Sequence, residues 1–462
     1  MNKMNYKIIL SIVTLIVFQI LILFFPLIIL SLSGKDAICV VSFLINGIVF
    51  LGGIFFAQKK HSFSLELIYW IFMFFFMYFA PIIQYLSDVY PWRGSLSDDL
   101  ILQVNILIFA FNIIFIVGRR LSEKVLFINI PNFHFSDFLC NNFEFSKKAK
   151  IFTTVSVVLL TGYSLSRTGL LGIVASRVQA IQVFYSGNNS ALELIIESVL
   201  PAFFAYVVAE AAQKMIIKEE KGFRFFLLFL CLLICFFPTT IPRYKMATIY
   251  GAVFMVLFPR LKKGTAFLWL FVGALFVAFP LLNSFRHVIS MESFSQALEG
   301  SFVESYVKAD YDAYRMLASS VTYVNNNGIV WGRQLLGSLL FFVPRSLWGS
   351  KPGGSGAMLI RSEFGQDTVS NVSCPFIAEG YLNFGFVGIV VFAFILGFLI
   401  NRFDSAYWEN SKNQSSIVFC PYLFMLFMIF FILRGDFLSG FAYLCGFIIT
   451  GYMLKTVSNP IR

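Results

Sequence analysis

Between Phe341 and Gly388 the chain reads FFVPRSLWGSKPGGSGAMLIRSEFGQDTVSNVSCPFIAEGYLNFGFVG. The groups that can do chemistry gather there: Arg345, Lys351, Arg361, Glu363, Asp367 and Glu379, among glycines and three prolines. A guanidinium offers a planar fork of donors that fits phosphate or carboxylate oxygens, so arginines in such a stretch point to an anionic ligand. Glu379 stands at the mouth of an apolar run, where a carboxylate is costly unless it is paired or used as a base. His287 is its rival, since imidazole titrates near neutrality and this one adjoins Arg286 at the lip of another apolar run. Each has a plain alternative, a satisfied interfacial histidine or a carboxylate that merely holds an arginine. The residues leave the choice of base open.

Composition says what must position these groups. Of 462 residues, 58% are hydrophobic, 18% aromatic and 13% charged, too little polar surface for a water-soluble globule, so the chain reads as a polytopic membrane protein. Apolar runs fall at Ile8–Leu32, Ile38–Ala57, Leu65–Leu86, Leu100–Val117, Ile151–Tyr163, Leu192–Ala212, Phe225–Phe237, Met246–Phe258, Thr265–Leu282, Phe376–Ile400, Ile417–Leu433 and Phe437–Leu454. Read as spans they number about twelve, the fifth, seventh and eighth being short for a full crossing. Ile8–Leu32 is too long for a signal-peptide core and lacks a small-residue cleavage site, so it reads as a retained first span. The 59 phenylalanines call for no cofactor, and the seven cysteines follow neither a disulfide framework nor metal-ligand spacing.

The net charge of +11 would suggest nucleic acid in a soluble protein, but here most Lys and Arg fall in short alternate loops, the mark of membrane topology. Those loops include Lys59 and Lys60, Arg119 and Arg120, Lys214 and Lys218, and Arg260 and Lys262. Both termini are then expected on the cytoplasmic side. The expected architecture is an all-α polytopic membrane protein with a large extracytoplasmic loop. It divides into an N-terminal bundle (1–282), the loop (283–375) and C-terminal transmembrane helices (376–462).

Cations on the opposite side need another reason to be there. Arg243 and Lys245 occupy a tight turn, PTTIPRYK at 238–245, which places both at interface depth, where a lipid-borne phosphate would lie. Arg434 shares a turn with Asp436, and a local ion pair is the plain reading. Arg286, Arg315, Arg345, Lys351 and Arg361 belong to the loop, where pairing with a nearby acid or snorkelling is the alternative for each. Glu193 and Glu197 share a helix face, and a helix N-terminus accounts for them. Tyr306–Val324 (YVKADYDAYRMLASSVTYV) reads as an amphipathic helix carrying Asp310 and Asp312. Gly332–Val343 is apolar but too short to span, which suits a re-entrant or interfacial segment leading to Pro344–Arg345. Pro352, Gly353, Gly354 and Gly356 suit a tight backbone beside a ligand, or a mobile loop.

These segments carry a resemblance. Phe285-Arg286-His287, KADYDAY at 308–314, VPRSLWGSKP at 343–352 and NVSCPFIAEGYLNFGFVG at 371–388 resemble the signature of the Wzy-type oligosaccharide repeat-unit polymerases, the O-antigen polymerase family. The resemblance covers the C-terminal third, while the N-terminal half is similar in hydropathy alone. It implies a membrane glycosyltransferase of the C-type group (GT-C-like) in the bacterial cytoplasmic (inner) membrane, acting at its outer face in lipopolysaccharide or other surface-polysaccharide biosynthesis. Such an enzyme moves a growing glycan from one undecaprenyl diphosphate carrier to the terminal sugar hydroxyl of another carrier-linked unit. The resemblance implies no cofactor and no metal; its expected partners are lipid-linked oligosaccharides, membrane lipid and a chain-length regulator protein, not nucleic acid. His287, Glu379 and Arg345 are then the expected catalytic groups. Arg243, Lys245, Arg286, Arg315, Lys351, Arg361 and Arg434, with Asp310 and Asp312, are expected to hold the substrate and its diphosphate. Asp310-Tyr311-Asp312 has the spacing of a nucleotide-sugar motif but falls on an expected helix. An O-antigen ligase would look similar in bulk and differ in the signature segments. A flippase would line a central cavity with its cations and have short loops on both sides. A purely structural scaffold would leave the outward arginines unexplained.

Overall fold

The computed structural model describes residues 34–92, 94–124, 135–140, 143–169, 190–238, 240–275, 306–365, 372–414 and 416–458; Ile8–Leu32, Arg286, His287 and Asp367 lie outside them. Among the described residues there are helices and turns but no strand. We number the helices α1 (Ala37–Lys60), α2 (Leu65–Ser87), α3 (Asp98–Lys124), α4 (Phe135–Cys140), α5 (Lys147–Thr168), α6 (Ser190–Ile216), α7 (Phe223–Cys235), α8 (Arg243–Leu257), α9 (Ala266–Gly273), α10 (Ala313–Asn327), α11 (Arg333–Leu339), α12 (Ser355–Phe364), α13 (Phe376–Asn410), α14 (Tyr422–Arg434) and α15 (Phe437–Ser458). Seven of them, α1, α2, α3, α5, α6, α13 and α15, contain a stretch long and apolar enough to cross a membrane. The protein is a multi-pass membrane protein.

Local chemistry starts these helices where the apolar runs begin. Asp36 caps α1 by accepting from the Ile38 N–H at 3.0 Å, and Ser64 caps α2 by accepting from Leu67 N at 3.0 Å. Within α2, Pro81 has no N–H to offer the carbonyl four residues back, and the helix widens to a π turn over Phe75–Phe79. α2 is buried on nearly every side, as expected of a helix that is apolar all round, and forms the centre of the bundle. α3 and α13 cross closely because glycines face each other's backbone. A Cβ on Gly118 would lie 2.3 Å from the Phe394 carbonyl oxygen, and one on Gly397 would lie 2.2 Å from that of Phe115.

The two ends of the bundle differ. At the lysine-rich end, Asp404 accepts the Leu65 and Glu66 N–H groups at 2.8 and 3.0 Å, so a carboxylate from α13 caps α2. Glu66 pairs with Arg119 at 3.3 Å, and Lys60 reaches Asn401 at 3.0 Å. At the other end the helices stop short. α14 has 13 residues, a rise of about 20 Å against a hydrocarbon layer of about 30 Å. Residues 309–312 lie against its last turn, in a cap made of residues 306–365 and 372–384.

Two expectations change in this cap. Phe376–Ile400 was expected as one straight span, but Gly385 has φ 59° and ψ −139° and breaks α13. The arm before the break folds back on the arm after it: the Phe376 and Phe392 ring centroids are 4.9 Å apart, and a Cβ on Gly388 would lie 1.8 Å from the Gly380 carbonyl oxygen. The amphipathic helix begins at Ala313 rather than Tyr306, because a short 3-10 turn, Ala309–Tyr311, turns the chain first. Gly332–Val343 holds only the seven-residue α11, packed on α13 and α15, with turns on either side.

Candidate functional site

The 3-10 turn lays its acids against the short ends of α8 and α14. Arg434, in the last turn of α14, donates from Nε to the Asp310 carbonyl at 3.0 Å and from Nη2 to the Ala309 carbonyl at 3.1 Å, and it pairs with Asp312 Oδ1 at 3.2 Å. The other oxygen of Asp312 accepts the Trp92 indole N–H at 3.2 Å and the Ser373 backbone N–H at 3.3 Å. Arg243, the first residue of α8, pairs with Asp310 Oδ2 at 3.2 Å. Arg243, Arg434, Asp310 and Asp312 thus form one cluster. Asp310 and Asp312 precede α10 instead of riding on it, which corrects the helical reading of Asp310-Tyr311-Asp312.

The expected Arg434–Asp436 pair is not what the fold uses. Asp436 turns to cap α15, accepting from Leu438 N at 2.9 Å, and takes the Gly356 N–H at the start of α12 at 3.3 Å. Glu379, fully buried on the folded-back arm of α13, accepts the Ser355 hydroxyl at 2.9 Å and the Phe437 N–H at 3.4 Å. The N-termini of α12 and α15 therefore meet on two carboxylates, Glu379 buried and Asp436 half-buried, the arrangement their dipoles favour. Burial pushes the Asp436 carboxyl above its ordinary range, and it pushes the neighbouring Cys374 thiol well up. Asp436 and Ser355 were missed at the sequence level. The signal for Asp436 was an aspartate one residue ahead of an apolar run, a helix N-cap signature. The glycines beside them are pressed tight: a Cβ on Gly354 would lie 2.2 Å from Asp436 Oδ2, and one on Gly356 would lie 2.6 Å from the Val372 carbonyl oxygen.

Other cations have other neighbours. Lys245 pairs with Glu197 at 3.0 Å, the same oxygen that accepts the Tyr443 hydroxyl at 2.6 Å, and its ammonium lies 4.5 Å from the Tyr443 ring centroid. Glu197 is thus a partner in its own right and not only a helix-start residue. Arg315 is buried inside the cap, where it pairs with Glu363 and donates to Ser319 Oγ at 2.6 Å, tying α10 to α12. Arg345 donates to the Lys351 carbonyl at 2.9 Å, and Lys351 donates to the Phe341 and Val343 carbonyls at 2.7 and 3.0 Å. Burial and the nearby Arg345 push the Lys351 ammonium below its ordinary range. Arg333 reaches the Ser350 carbonyl at 3.1 Å, and Arg361 is exposed on α12.

The cations at this end therefore sort into two kinds. Arg243, Lys245, Arg315 and Arg434 are matched to carboxylates, whereas Arg333, Arg345 and Lys351 hold only carbonyls among the described residues. The second kind keeps its charge available for an anion. The first can take one by exchanging a carboxylate for a phosphate, for which a guanidinium is equally well shaped.

Among curated proteins and among solved structures none matches the chain. Residues 370–458 match the family model described as O-antigen polysaccharide polymerase Wzy, a stretch that contains Glu379, the Gly385 break, Arg434 and Asp436. Over that stretch the chain is similar to the Wzy-type O-antigen polymerases.

Proposed function

We propose that the protein joins lipid-linked oligosaccharide repeat units into a surface polysaccharide, working at the capped end of its bundle. The family match carries this reading: the matched residues supply both the Glu379 and Asp436 carboxylates and Arg434, which ties residues 309–312 to the bundle. In this reading the capped end faces away from the cytoplasm, the lysine-rich end faces inward, and 283–375 is the catalytic loop of a GT-C-like enzyme. The donor is a glycan on an undecaprenyl diphosphate and the acceptor is the terminal hydroxyl of a second carrier-linked unit.

The chemistry asks for two things. The bond from the donor sugar to its diphosphate breaks as the acceptor oxygen bonds to that sugar. Negative charge then builds on the departing diphosphate, and fixed guanidinium groups at the depth of lipid phosphates lower that barrier. Arg345 and Lys351 present such charge, with Arg243 next to them in role once Asp310 yields. The acceptor hydroxyl must also lose its proton, for which Glu379 and His287 are the candidate bases.

The product identifies the step. Cells carrying an inactive variant should display surface lipid capped with a single repeat unit and no ladder, because each unit is still made and passed on. Long chains stranded on the carrier would instead mean a ligase, and single units stranded at the cytoplasmic face a flippase. Either result would overturn the proposal. A membrane-impermeant maleimide should reach Ser350→Cys from outside the cell and Lys218→Cys only after permeabilisation.

A further inference from the structure

Residues 331–347 present large apolar side chains to the outside where a folded loop would hide them. Trp331 is 79% exposed and Leu347 81%, and Leu336, Leu339 and Phe342 are exposed between them. The backbone commits to this display: Trp331 has a φ of 50°, a left-handed conformation unfavourable for a bulky side chain, and Gly332 follows at 78°. The segment is also well fixed. Val330 N donates to the Leu382 carbonyl at 3.0 Å and Gly332 N to the Asn383 carbonyl at 3.3 Å. Arg333 and Arg345 tie back to the carbonyls of Ser350 and Lys351 at 3.1 and 2.9 Å.

Its place in the fold names what covers it. The anchoring residues, Leu382 and Asn383, lie just before the Gly385 break, and beyond the break Phe386, Val387, Val391, Ile395 and Leu399 form an exposed apolar stripe down α13. Such a stripe on a multi-pass protein faces lipid. From Phe386 to Arg402, near where Lys60 meets Asn401 at the polar end, the helix rises about 24 Å. A hydrocarbon layer of about 30 Å therefore extends about 6 Å past Phe386, so the bend at Gly385, and the Val330–Gly332 backbone bonded to Leu382 and Asn383, lie at its edge. Tryptophan with arginines beside apolar side chains is the composition that lipid interfaces select.

We propose that residues 331–347 are a foot set in the phospholipid surface, with Trp331, Phe342 and Leu347 among the acyl chains and Arg333 against an anionic headgroup. This surface lies beyond the polymerisation chemistry and does not depend on it. The foot holds Arg345 at the depth of the phosphates.

The test uses the full chain, purified and reconstituted in nanodiscs of phosphatidylcholine with phosphatidylglycerol. A bimane is placed at Leu347→Cys and at Phe342→Cys, with Asn326→Cys as the water-side control. The native thiols are buried or half-buried, and labelling of the unsubstituted chain is subtracted. Doxyl-labelled lipid should quench the probes at 342 and 347 at least threefold more than the control, and aqueous iodide should show the reverse order. Iodide reaching 347 as readily as 326 would overturn the proposal; should one variant misfold, the other reads the same depth. Adding Arg333→Glu should weaken lipid quenching at 347 in discs containing phosphatidylglycerol but not in those of phosphatidylcholine alone. Equal quenching in the two compositions would remove the headgroup contact.

Discussion

Arg434 and Asp312 are 122 residues apart in the chain and meet at 3.2 Å, an ion pair that joins the end of α14 to the turn leading into α10. The same guanidinium holds two carbonyls of that turn, and Asp312 also collects Trp92 and Ser373. One arginine thus seats the cap on the short side of the bundle. Because Asp312 is almost fully buried, removing either charge leaves the other in a place that water reaches poorly.

Asp312→Ala should destabilise the purified protein by about 3 kcal/mol, the low end for breaking a buried pair, since Arg434 keeps some exposure. Thermal unfolding in detergent, run as a double-mutant cycle with Arg434→Ala, measures it. A coupling below about 0.5 kcal/mol would class the pair with surface contacts.

The fold-back of α13 depends on Gly388 lying against Gly380. Gly388→Ala must push the two arms apart or move the Gly380 carbonyl, an overpacking cost of about 3 kcal/mol or more. Gly162→Ala is the control, since nothing lies within 4 Å of the added methyl, and it should gain up to about 1 kcal/mol from helix propensity. Equal melting temperatures for the two variants would contradict the hairpin.

How far the sequence announced this arrangement depends on the distance over which each feature is written. The helices were legible because apolar run length is local, and Asp36 and Ser64 mark their starts as caps do. Glu379 stood out because a carboxylate in an apolar run needs a reason. The fold-back did not, since YLNFGFVGIVV is apolar apart from Asn383, contains no proline and scans as one span. The partners of Arg434 were hidden for another reason. Asp436 is two residues away and carries the right charge, yet the N–H groups of α15 and α12 claim it. The partner the fold uses is brought in by a loop.

Burial raises the Asp436 carboxyl above its ordinary range, partly offset by the N–H groups it accepts, and so makes stability depend on pH with a definite sign. The folded chain binds this proton more tightly than the unfolded chain. The contribution is therefore complete below the unfolded value and is lost as pH rises through the folded one. Asp436→Asn stays neutral throughout. The melting temperature of the parent minus that of Asp436→Asn should fall between pH 4 and pH 8, and a difference that rises across that range would sink the assignment.

Glu379 separates catalysis from packing, and the choice of substitution decides the question. Glu379→Ala removes the acceptor for Ser355 and for Phe437 N, so a lost ladder in that variant would have two readings. Glu379→Gln keeps the volume and one acceptor oxygen and removes only the capacity to take a proton. If Glu379 is the base, the glutamine variant should melt within a few degrees of the parent and polymerise about 10²- to 10⁴-fold more slowly, the usual contribution of a general base. Ser355→Ala should then be mild, since it takes away a hydrogen bond and leaves the carboxylate. Arg345 calls for the complementary comparison, with Arg345→Ala abolishing the ladder and Arg345→Lys rescuing it poorly for want of the bidentate fork. A full ladder from stable Glu379→Gln would assign Glu379 to holding the starts of α12 and α15 together. His287→Ala, assayed alongside, would then be the variant expected to lose it.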